Sequence, residues 1–146
     1  MSSYATIFVV DIRNIWEHNR AMLPMPTDAE LDILAVMWRR GPSTVREVHD
    51  DLGKDAGYTT TLKQMQMMTD KGLLVRSERF RCHVYEAVVP KEVTRKQIAG
   101  DLLKRAFDGS ARNWMLGALS AQPATREELN EIRAVLRDFE KRRFKK

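Results

Sequence analysis

The fold is decided by the stretch GYTTTLKQMQMMTDKGLLVR, residues 57–76. Leu62, Met65, Met68 and Thr69 recur at the spacing of one face of a helix, which predicts an amphipathic α-helix that buries this stripe. Gly72 is a natural stop, because glycine readily adopts the left-handed conformation that ends many helices.

The outer face of this predicted helix is unusual. A helix that only faces solvent commonly carries Glu/Lys pairs, whereas this face presents short hydroxyls, an amide, a thioether and cations. By helical wheel, the residues opposite the apolar stripe are Thr60, Lys63, Gln64, Met67 and Lys71.

Two shorter helices are predicted before this one. Thr27 and Glu30 form a capping box after the break at Pro24 and Pro26, so a first helix runs over about residues 28–39. Its predicted inward residues are Leu31, Leu34, Ala35 and Trp38. After Gly41-Pro42, either Ser43 or Thr44 caps a second helix that buries Val45, Val48 and Leu52.

A β-hairpin is predicted immediately after the third helix. Residues 73–77 and 82–88 are rich in β-branched and aromatic side chains, and a tight turn near residues 78–81 joins them. Three closely spaced helices followed by a hairpin are the element order of a winged helix. The expected fold is therefore mainly α with a small β-hairpin wing, a winged helix-turn-helix over residues 25–90.

Residues 91–146 predict three further helices with more apolar surface than one thin layer can bury. A large exposed apolar patch normally marks an association surface, and a second copy of the chain is the simplest cover. We therefore expect a symmetric homodimer with a helical dimerisation region at residues 91–146. Its predicted interface residues are Leu102, Leu103, Phe107, Trp114, Met115, Leu119, Leu129, Ile132 and Leu136.

Composition sets further bounds on the protein. The chain has 146 residues, a net charge of +5 and one cysteine, which excludes an internal disulfide framework and any CxxC metal or redox site. There is no run of about 18 apolar residues for a membrane span and no pattern of a secretory leader. We expect a cytoplasmic protein with no membrane insertion, no cofactor and no metal.

In a helix-turn-helix, the second helix of the pair lies in the major groove and reads base edges. Glutamine can bond adenine at two points, threonine offers a hydroxyl and a methyl, and lysine reaches guanine or a phosphate. The local excess of cations continues into the hairpin turn, where arginines can contact the DNA backbone or minor groove. The predicted DNA contacts are Thr44, Thr59, Thr60, Thr61, Lys63, Gln64, Met67, Lys71, Arg79 and Arg81.

Other residue patterns argue against a metal site or a catalytic site. Cys82 next to His83 has too few neighbours of the same kind for a metal site, so a plain strand cysteine is favoured. His49 beside Asp50 and Asp51 reads as a surface cluster, and no catalytic constellation is visible. Residues 25–90 hold 9 basic and 10 acidic side chains. This near-neutral balance leaves open a protein-interaction module on the same scaffold.

The blocks PTDAELDILAVMWRRGPSTVREVHDDL, YTTTLKQMQMMTDKGLLVR and VYEAVV resemble the penicillinase-repressor family (BlaI/MecI/CopY) in the same order. The resemblance covers about residues 26–141. It implies a homodimeric winged-helix repressor of a resistance or stress operon. In the best-known members, a membrane sensor-protease triggers proteolysis and release, so a sensor-protease is an implied partner.

This chain departs from the family pattern at several positions. Lys63 and Met67 stand where threonine and arginine are common, and Phe80 stands at the wing turn where glycine is common. The cleaved Asn-Phe bond aligns with Gly117-Ala118, which puts induction by cleavage in doubt. The cysteine motif of the copper-responsive branch is absent. Residues 1–24 lie outside the pattern, either as an extension that packs on the dimer or because translation starts at Met22 or Met25.

Overall fold

The computed structural model describes residues 23–53 and 57–144. Three helices come first: α1 (Asp28–Arg40), α2 (Val45–Leu52) and α3 (Tyr58–Lys71). Two antiparallel strands follow, β1 (Leu74–Arg79) and β2 (Cys82–Ala87), and then α4 (Lys91–Ala106), α5 (Ala111–Ala121) and α6 (Arg126–Phe144). The order confirms the predicted winged helix-turn-helix with a helical C-terminal region.

The boundaries of the first three helices follow from local chemistry. The Thr27 amide donates to Glu30 Oε1 at 2.9 Å, and the Glu30 amide donates to Thr27 Oγ1 at 3.2 Å. This is the predicted capping box. A second one starts α2, where Thr44 rather than Ser43 is the cap and exchanges hydrogen bonds with Glu47 at 3.0 and 3.2 Å. Gly72 ends α3 with φ of 89°, a conformation that costs glycine little.

The core lies between α1, α2, α3 and the base of the hairpin. Its buried members are Ile33, Leu34, Val36, Met37, Val45, Val48, Met65, Met68, Leu73, Leu74 and Tyr85. The predicted stripes of α2 and α3 are confirmed at Val45, Val48, Met65 and Met68, while Leu52 and Leu62 pack at the edge of the core.

The predicted inward face of α1 is confirmed at Leu34 and misplaced at Ala35, which is exposed. Ile33, Val36 and Met37, which were not predicted, are also buried. Trp38 is partly buried against the core, and its indole N–H donates to the Val89 carbonyl at 3.1 Å.

The hairpin, called the wing below, closes through a two-residue turn at Phe80-Arg81. The strands pair from Leu74 opposite Ala87 to Arg79 opposite Cys82, so β1 runs two residues further than predicted and the turn is shorter than residues 78–81 on that side only. Phe80 and Arg81 have φ of 53° and 66°. Both therefore lie in the left-handed region, which costs a residue with a Cβ about 1–2 kcal/mol.

The chain divides into two compact units, residues 1–99 and residues 100–146. In the second unit, none of the described side chains of residues 100–144 is buried. Gly117 packs closely against Phe107, since an added Cβ would lie 3.2 Å from the Phe107 ring. The predicted division into residues 1–24, 25–90 and 91–146 stays a prediction, and residues 1–22 lie outside the described residues.

Candidate nucleic-acid interface

The outward face of α3 carries most of the predicted DNA contacts. Thr59, Thr60, Lys63 and Met67 are exposed, and Gln64 is half-buried. Thr60, Lys63 and Met67 are three and four residues apart, which places them one above another on the same face of the helix. Met67 is the most prominent apolar member, with 52% of its surface exposed.

Sequence reasoning missed two residues of this face. Gln66 and Asp70 are also exposed, and each lies three or four residues from Lys63 or Met67. Gln66 adds a second amide that can donate and accept at a base edge. Asp70 adds a carboxylate near the C-terminal end, which disfavours close approach of a phosphate there.

The prediction that Thr61 contacts DNA is wrong, because the structure turns this residue inward. Thr61 is only 4% exposed, and its Oγ1 lies 2.9 Å from His49 Nδ1 on α2. Three consecutive helical residues span about 200° of the helix circumference, so they cannot all face the same way. The same contact corrects His49, which packs against α3 rather than standing in a surface cluster.

Lys71 has a partner within the fold, and its DNA contact stays a prediction. Its Nζ lies 2.7 and 3.0 Å from the two carboxylate oxygens of Glu30 at the start of α1. Burial alone would raise the pKa of Glu30, but hydrogen bonds from Lys71 and from the Thr27 amide outweigh it and hold that pKa below its ordinary value. A buried carboxylate needs such a partner. The ammonium group of Lys71 is therefore engaged with Glu30 of α1 and is not directed from the outward face of α3.

The start of α3 is open to an anion. Its N-cap is Gly57, which provides no side-chain cap. The Thr60 amide donates to the Gly57 carbonyl at 3.1 Å, so the amides that precede it, at Tyr58 and Thr59, are the ones without an intrahelical acceptor at the positive end of the helix. Beside them, the guanidinium carbon of Arg46 lies 4.3 Å from the centre of the Tyr58 ring, a cation–π contact. Arg46 was not predicted from the sequence as a DNA contact. Its place in α2 one helical turn before His49, on the side that meets Tyr58 at the start of α3, could have indicated it.

Thr44 and the other arginines near α2 are engaged within the fold. Thr44 Oγ1 caps α2 and bonds Glu47, so any DNA contact it makes must share that hydroxyl. Arg40 pairs with Glu47 at 2.8 Å and with Asp51 at 3.2 Å. These pairs reduce the positive potential that this side of the head offers to a phosphate.

The wing presents its end to solvent. Residues 78–83 are all exposed, including Arg79, Arg81 and Cys82. On the half-buried residue Glu86, burial raises the pKa and the charge of Arg79 opposes that rise. Within the described residues, no group of three or more histidine, cysteine or carboxylate side chains could hold a metal ion.

The predicted dimer residues lie in α4, α5 and α6 with their apolar surface incompletely covered. Leu102 and Leu136 are exposed, and Leu103, Phe107, Trp114, Met115, Leu119, Leu129 and Ile132 are half-buried. Sequence reasoning omitted further exposed apolar residues of the same helices, which are Leu116, Val135, Phe139 and Phe144. In the part of the chain that is described, no helix combines the length and hydropathy of a membrane span.

The fold and the exposed face of α3 define a winged helix-turn-helix protein. The chain belongs to the penicillinase repressor family of transcriptional repressors, whose family model matches residues 26–138. The resemblance seen in the sequence is thereby confirmed. The expectation that the protein is not an enzyme is confirmed on the same ground, because this is a family of repressors.

Individual relatives agree with this assignment. The chain is 24% identical over 123 residues to a penicillinase repressor of Bacillus licheniformis, over 83% of this chain and 96% of that protein. It is 31% identical over 88 residues to the transcriptional regulator BlaI of Mycobacterium tuberculosis (strain ATCC 25618 / H37Rv), over 58% of this chain and 64% of that one.

Solved structures with a related arrangement include two regulators. One is the monomeric form of Bacillus licheniformis BlaI in complex with the blaP half-operator, at a TM-score of 0.43 and 25% identity over 49% of this chain and 89% of that chain. The other is a MarR family protein from Bacillus stearothermophilus, at a TM-score of 0.46 and 18% identity over 99% and 95% of the two chains.

Proposed function

We propose that this protein is a homodimeric repressor that binds a palindromic operator in double-stranded DNA. The observation that carries the proposal is the outward face of α3, whose exposed side chains are short hydroxyls, an amide, one lysine and one methionine, with the carboxylate of Asp70 near its C-terminal end. Family membership supports repression as the outcome, and the penicillinase repressor name of a relative supports a resistance or stress operon as the target.

Different side chains of α3 suit different bases of the operator. Gln64 suits adenine, which it can bond at two points, and Lys63 suits guanine O6 and N7 or a phosphate. Thr59 and Thr60 each offer a hydroxyl to a base or a phosphate, and a methyl to thymine. Met67 has no polar hydrogen to donate, so it fits beside a thymine methyl, where an arginine would instead demand an acceptor.

The DNA backbone is held at both ends of this face. The amides at the start of α3 can donate hydrogen bonds to phosphate oxygens, and Arg46 beside Tyr58 lies at the same end. Arg79 and Arg81 supply cations at the exposed end of the wing. Such contacts set the register of the protein on the duplex and carry the salt-dependent part of the affinity.

The second unit supplies the dimer. Its described residues include no buried side chain, and its helices expose leucine, valine and phenylalanine. An isologous interface between two copies covers this apolar surface on both at once. Two heads then reach two half-sites related by a two-fold axis, which is why the operator is expected to be palindromic.

Release follows a sensor-linked signal in this proposal, through a membrane sensor-protease or a protease in its pathway. The Gly117-Ala118 bond lies inside α5, where the backbone is hydrogen-bonded and poorly suited to a protease cleft. A signal that acts elsewhere on the chain therefore fits this protein better than cleavage at that bond. We place the protein in the cytoplasm, with the DNA that it binds.

A protein-interaction module without sequence-specific DNA binding is the second candidate. The near-neutral charge of residues 25–90 favours it. The ion pair of Lys71 with Glu30 also favours it, because it leaves less positive charge for a phosphate. It predicts a stable complex with another protein and no protected site on DNA.

Binding of the full-length chain to a duplex selected from a randomised library tests the proposal. We expect log affinity to fall linearly with log salt concentration, by roughly one unit of slope per phosphate contact. Lys63→Ala and Gln64→Ala should each lose about 1–3 kcal/mol at one operator position and relax preference there. Lys104→Ala removes an exposed cation outside this face and is the matched control. Equal effects of Lys63→Ala and Lys104→Ala, or weak binding to every duplex, would refute sequence-specific reading.

A further inference from the structure

The end of the wing combines two features that the fold does not need. Phe80 is 80% exposed, so its ring packs against little of the chain that the structure describes. Its backbone is left-handed, with φ of 53°. A two-residue hairpin turn of this hand favours asparagine or glycine, because a residue with a larger side chain is strained there. Phe80 therefore carries both an exposed apolar ring and a backbone cost, and stability accounts for neither.

The position of Phe80 makes the ring a projecting tip. Tyr85 and Leu74 are buried at the base of the wing, and residues 78–83 are all exposed. At about 3.4 Å per residue, the three strand residues 82–84 carry the turn roughly 10 Å beyond the buried Tyr85. The wing follows α3 after only two residues, so the two are consecutive elements of the same compact unit.

The charges around the ring point to a polyanion. Arg79 and Arg81 are exposed directly on either side of Phe80, and Arg76 is exposed further down the same strand. One exposed carboxylate, Glu78, opposes them. An apolar ring between two cations is poorly matched to a neutral protein surface. It is well matched to DNA, where arginines neutralise phosphates and an apolar wedge enters between base steps.

We infer that Phe80 is a DNA wedge that inserts into the minor groove beside the half-site read by α3. This inference rests on the proposed function and adds to it a DNA contact by Phe80 and a way of selecting a base step. The ring would partly unstack one base step, with Arg79 and Arg81 on the flanking phosphates. Pyrimidine–purine steps unstack most readily, so the wedge would select such a step outside the bases that α3 contacts.

Fluorescence of 2-aminopurine tests the inference directly. The probe is the duplex that the wild-type chain selects from a randomised library, with 2-aminopurine placed in turn at each step flanking the protected half-site. We expect the wild-type chain to raise the fluorescence at one flanking step. Phe80→Asn removes the ring and tolerates the left-handed backbone, so it should melt no lower than wild type, weaken operator binding by about 5-fold or more, and lose that fluorescence change.

Phe80→Leu is the matched variant, because it keeps an apolar wedge of similar length. It should retain most of the fluorescence change and bind more tightly than Phe80→Asn. Equal affinity and equal fluorescence for wild type and Phe80→Asn would overturn the wedge while leaving the repressor proposal intact. Dissociation of the Phe80→Asn dimer in sedimentation would also overturn it, since the ring would then pack on the partner copy. Selection of no duplex at all would overturn the proposed function and the wedge together.

Discussion

Thr60 and Thr61 are adjacent and chemically identical, yet α3 sends them to opposite environments. Thr60 is exposed on the proposed reading face. Thr61 is buried, with its hydroxyl oxygen 2.9 Å from a ring nitrogen of His49. Thr61 therefore contributes to the packing of α3 on α2, whereas Thr60 is free for the proposed recognition role, although no property of either residue alone distinguishes them.

Substitution of each threonine by valine separates the two roles. Valine keeps the β-branched shape and a similar helix propensity but removes the hydroxyl. Thr61→Val should destabilise the fold by about 1–2 kcal/mol, because a half-buried ring nitrogen of His49 loses its partner. Thr60→Val should change stability by less than about 0.5 kcal/mol and weaken operator binding. Urea unfolding and duplex titration measure the two effects, and a reversed pattern would show that the face of α3 is assigned wrongly.

The ring and the hydroxyl of Tyr85 have opposite effects on stability. Its side chain is among the most deeply buried in the head, but its hydroxyl has no hydrogen-bond partner among the described residues. The ring contributes to the core, whereas the buried hydroxyl carries a desolvation penalty.

Tyr85→Phe should therefore be neutral or stabilise the fold by up to about 1 kcal/mol, because it removes the unpaired hydroxyl and keeps the ring. Tyr85→Ala should cost about 3–5 kcal/mol, since it empties the same space. Urea unfolding of both variants measures the contrast. A loss of more than about 1 kcal/mol in Tyr85→Phe would mean that the hydroxyl has a partner that contributes to stability.

At the scale of the elements, the proposed reading helix is tied to the rest of the head at both ends. Its first turn packs against α2 through the edge of His49, whose ring centre lies 6.0 Å from that of Tyr58. Its last turn is tied to the start of α1 by Lys71 and Glu30 at 2.7 Å. The ion pair joins residues 41 positions apart, so it fixes the relative tilt of two helices and not only a local cap.

The ion pair should make stability depend on pH in one direction. The folded pKa of Glu30 lies below its ordinary value of 4.5, so the unfolded chain takes up a proton more readily than the folded one. The stabilisation is complete above the ordinary pKa and is lost as pH falls through the folded value.

Glu30→Gln isolates this contribution, because glutamine can still complete the capping box with Thr27 but carries no charge. At pH 7 the variant should be less stable than wild type by about 1–2 kcal/mol, a modest figure because Lys71 is partly exposed. The difference should shrink as pH is lowered below about 4.5. Unfolding curves of both proteins from pH 7 to pH 3 measure it, and a constant difference would show that the charge is not involved.

Local signals in the sequence predicted these elements well. The capping box of α1, the glycine stops and the hairpin rest on contacts within four residues or on a short turn, and a short window contains that information. At α2 the sequence predicted only a cap at Ser43 or Thr44, and the box with Glu47 was not predicted. The ion pair of Lys71 and the burial of Thr61 depend on partners on other helices. Helical spacing alone assigned Lys71 to the outward face of α3, because spacing shows where a Cα lies and not which partner a long side chain reaches. The inward face of α1 was partly misplaced for a similar reason, since Leu31 and Ala35 fit the period as well as Ile33 and Val36 do.

At the scale of the whole molecule, the two units differ in what stabilises them. The buried hydrophobic residues of the described chain all lie in residues 33–89. The second unit leaves Phe139 61% exposed and Leu136 52% exposed on α6. Apolar area of this kind yields roughly 25 cal/mol per Å² when it is covered, which explains why the proposed dimer forms through these helices.

Leu136→Asp should therefore convert the dimer to a monomer and sharply reduce operator affinity, because a charge would be placed in the apolar interface. Asn130→Asp adds the same charge to the exposed side of α6 and can still accept the hydrogen bond from Arg133, so it should remain dimeric. Sedimentation at micromolar concentration measures both. A wild-type monomer, or dimers for both variants, would contradict the interface assigned to α6.

In the proposed complex, two α3 helices of one dimer read two half-sites of a duplex. Sequencing the duplexes selected by the wild-type chain, with a hydroxyl-radical footprint of the tightest one, tests this arrangement. We predict an inverted repeat whose half-sites are separated by about 10–10.5 base pairs or a multiple, with protection on one face of the duplex. A single unrepeated half-site bound by one chain, or no enriched sequence at all, would contradict the account.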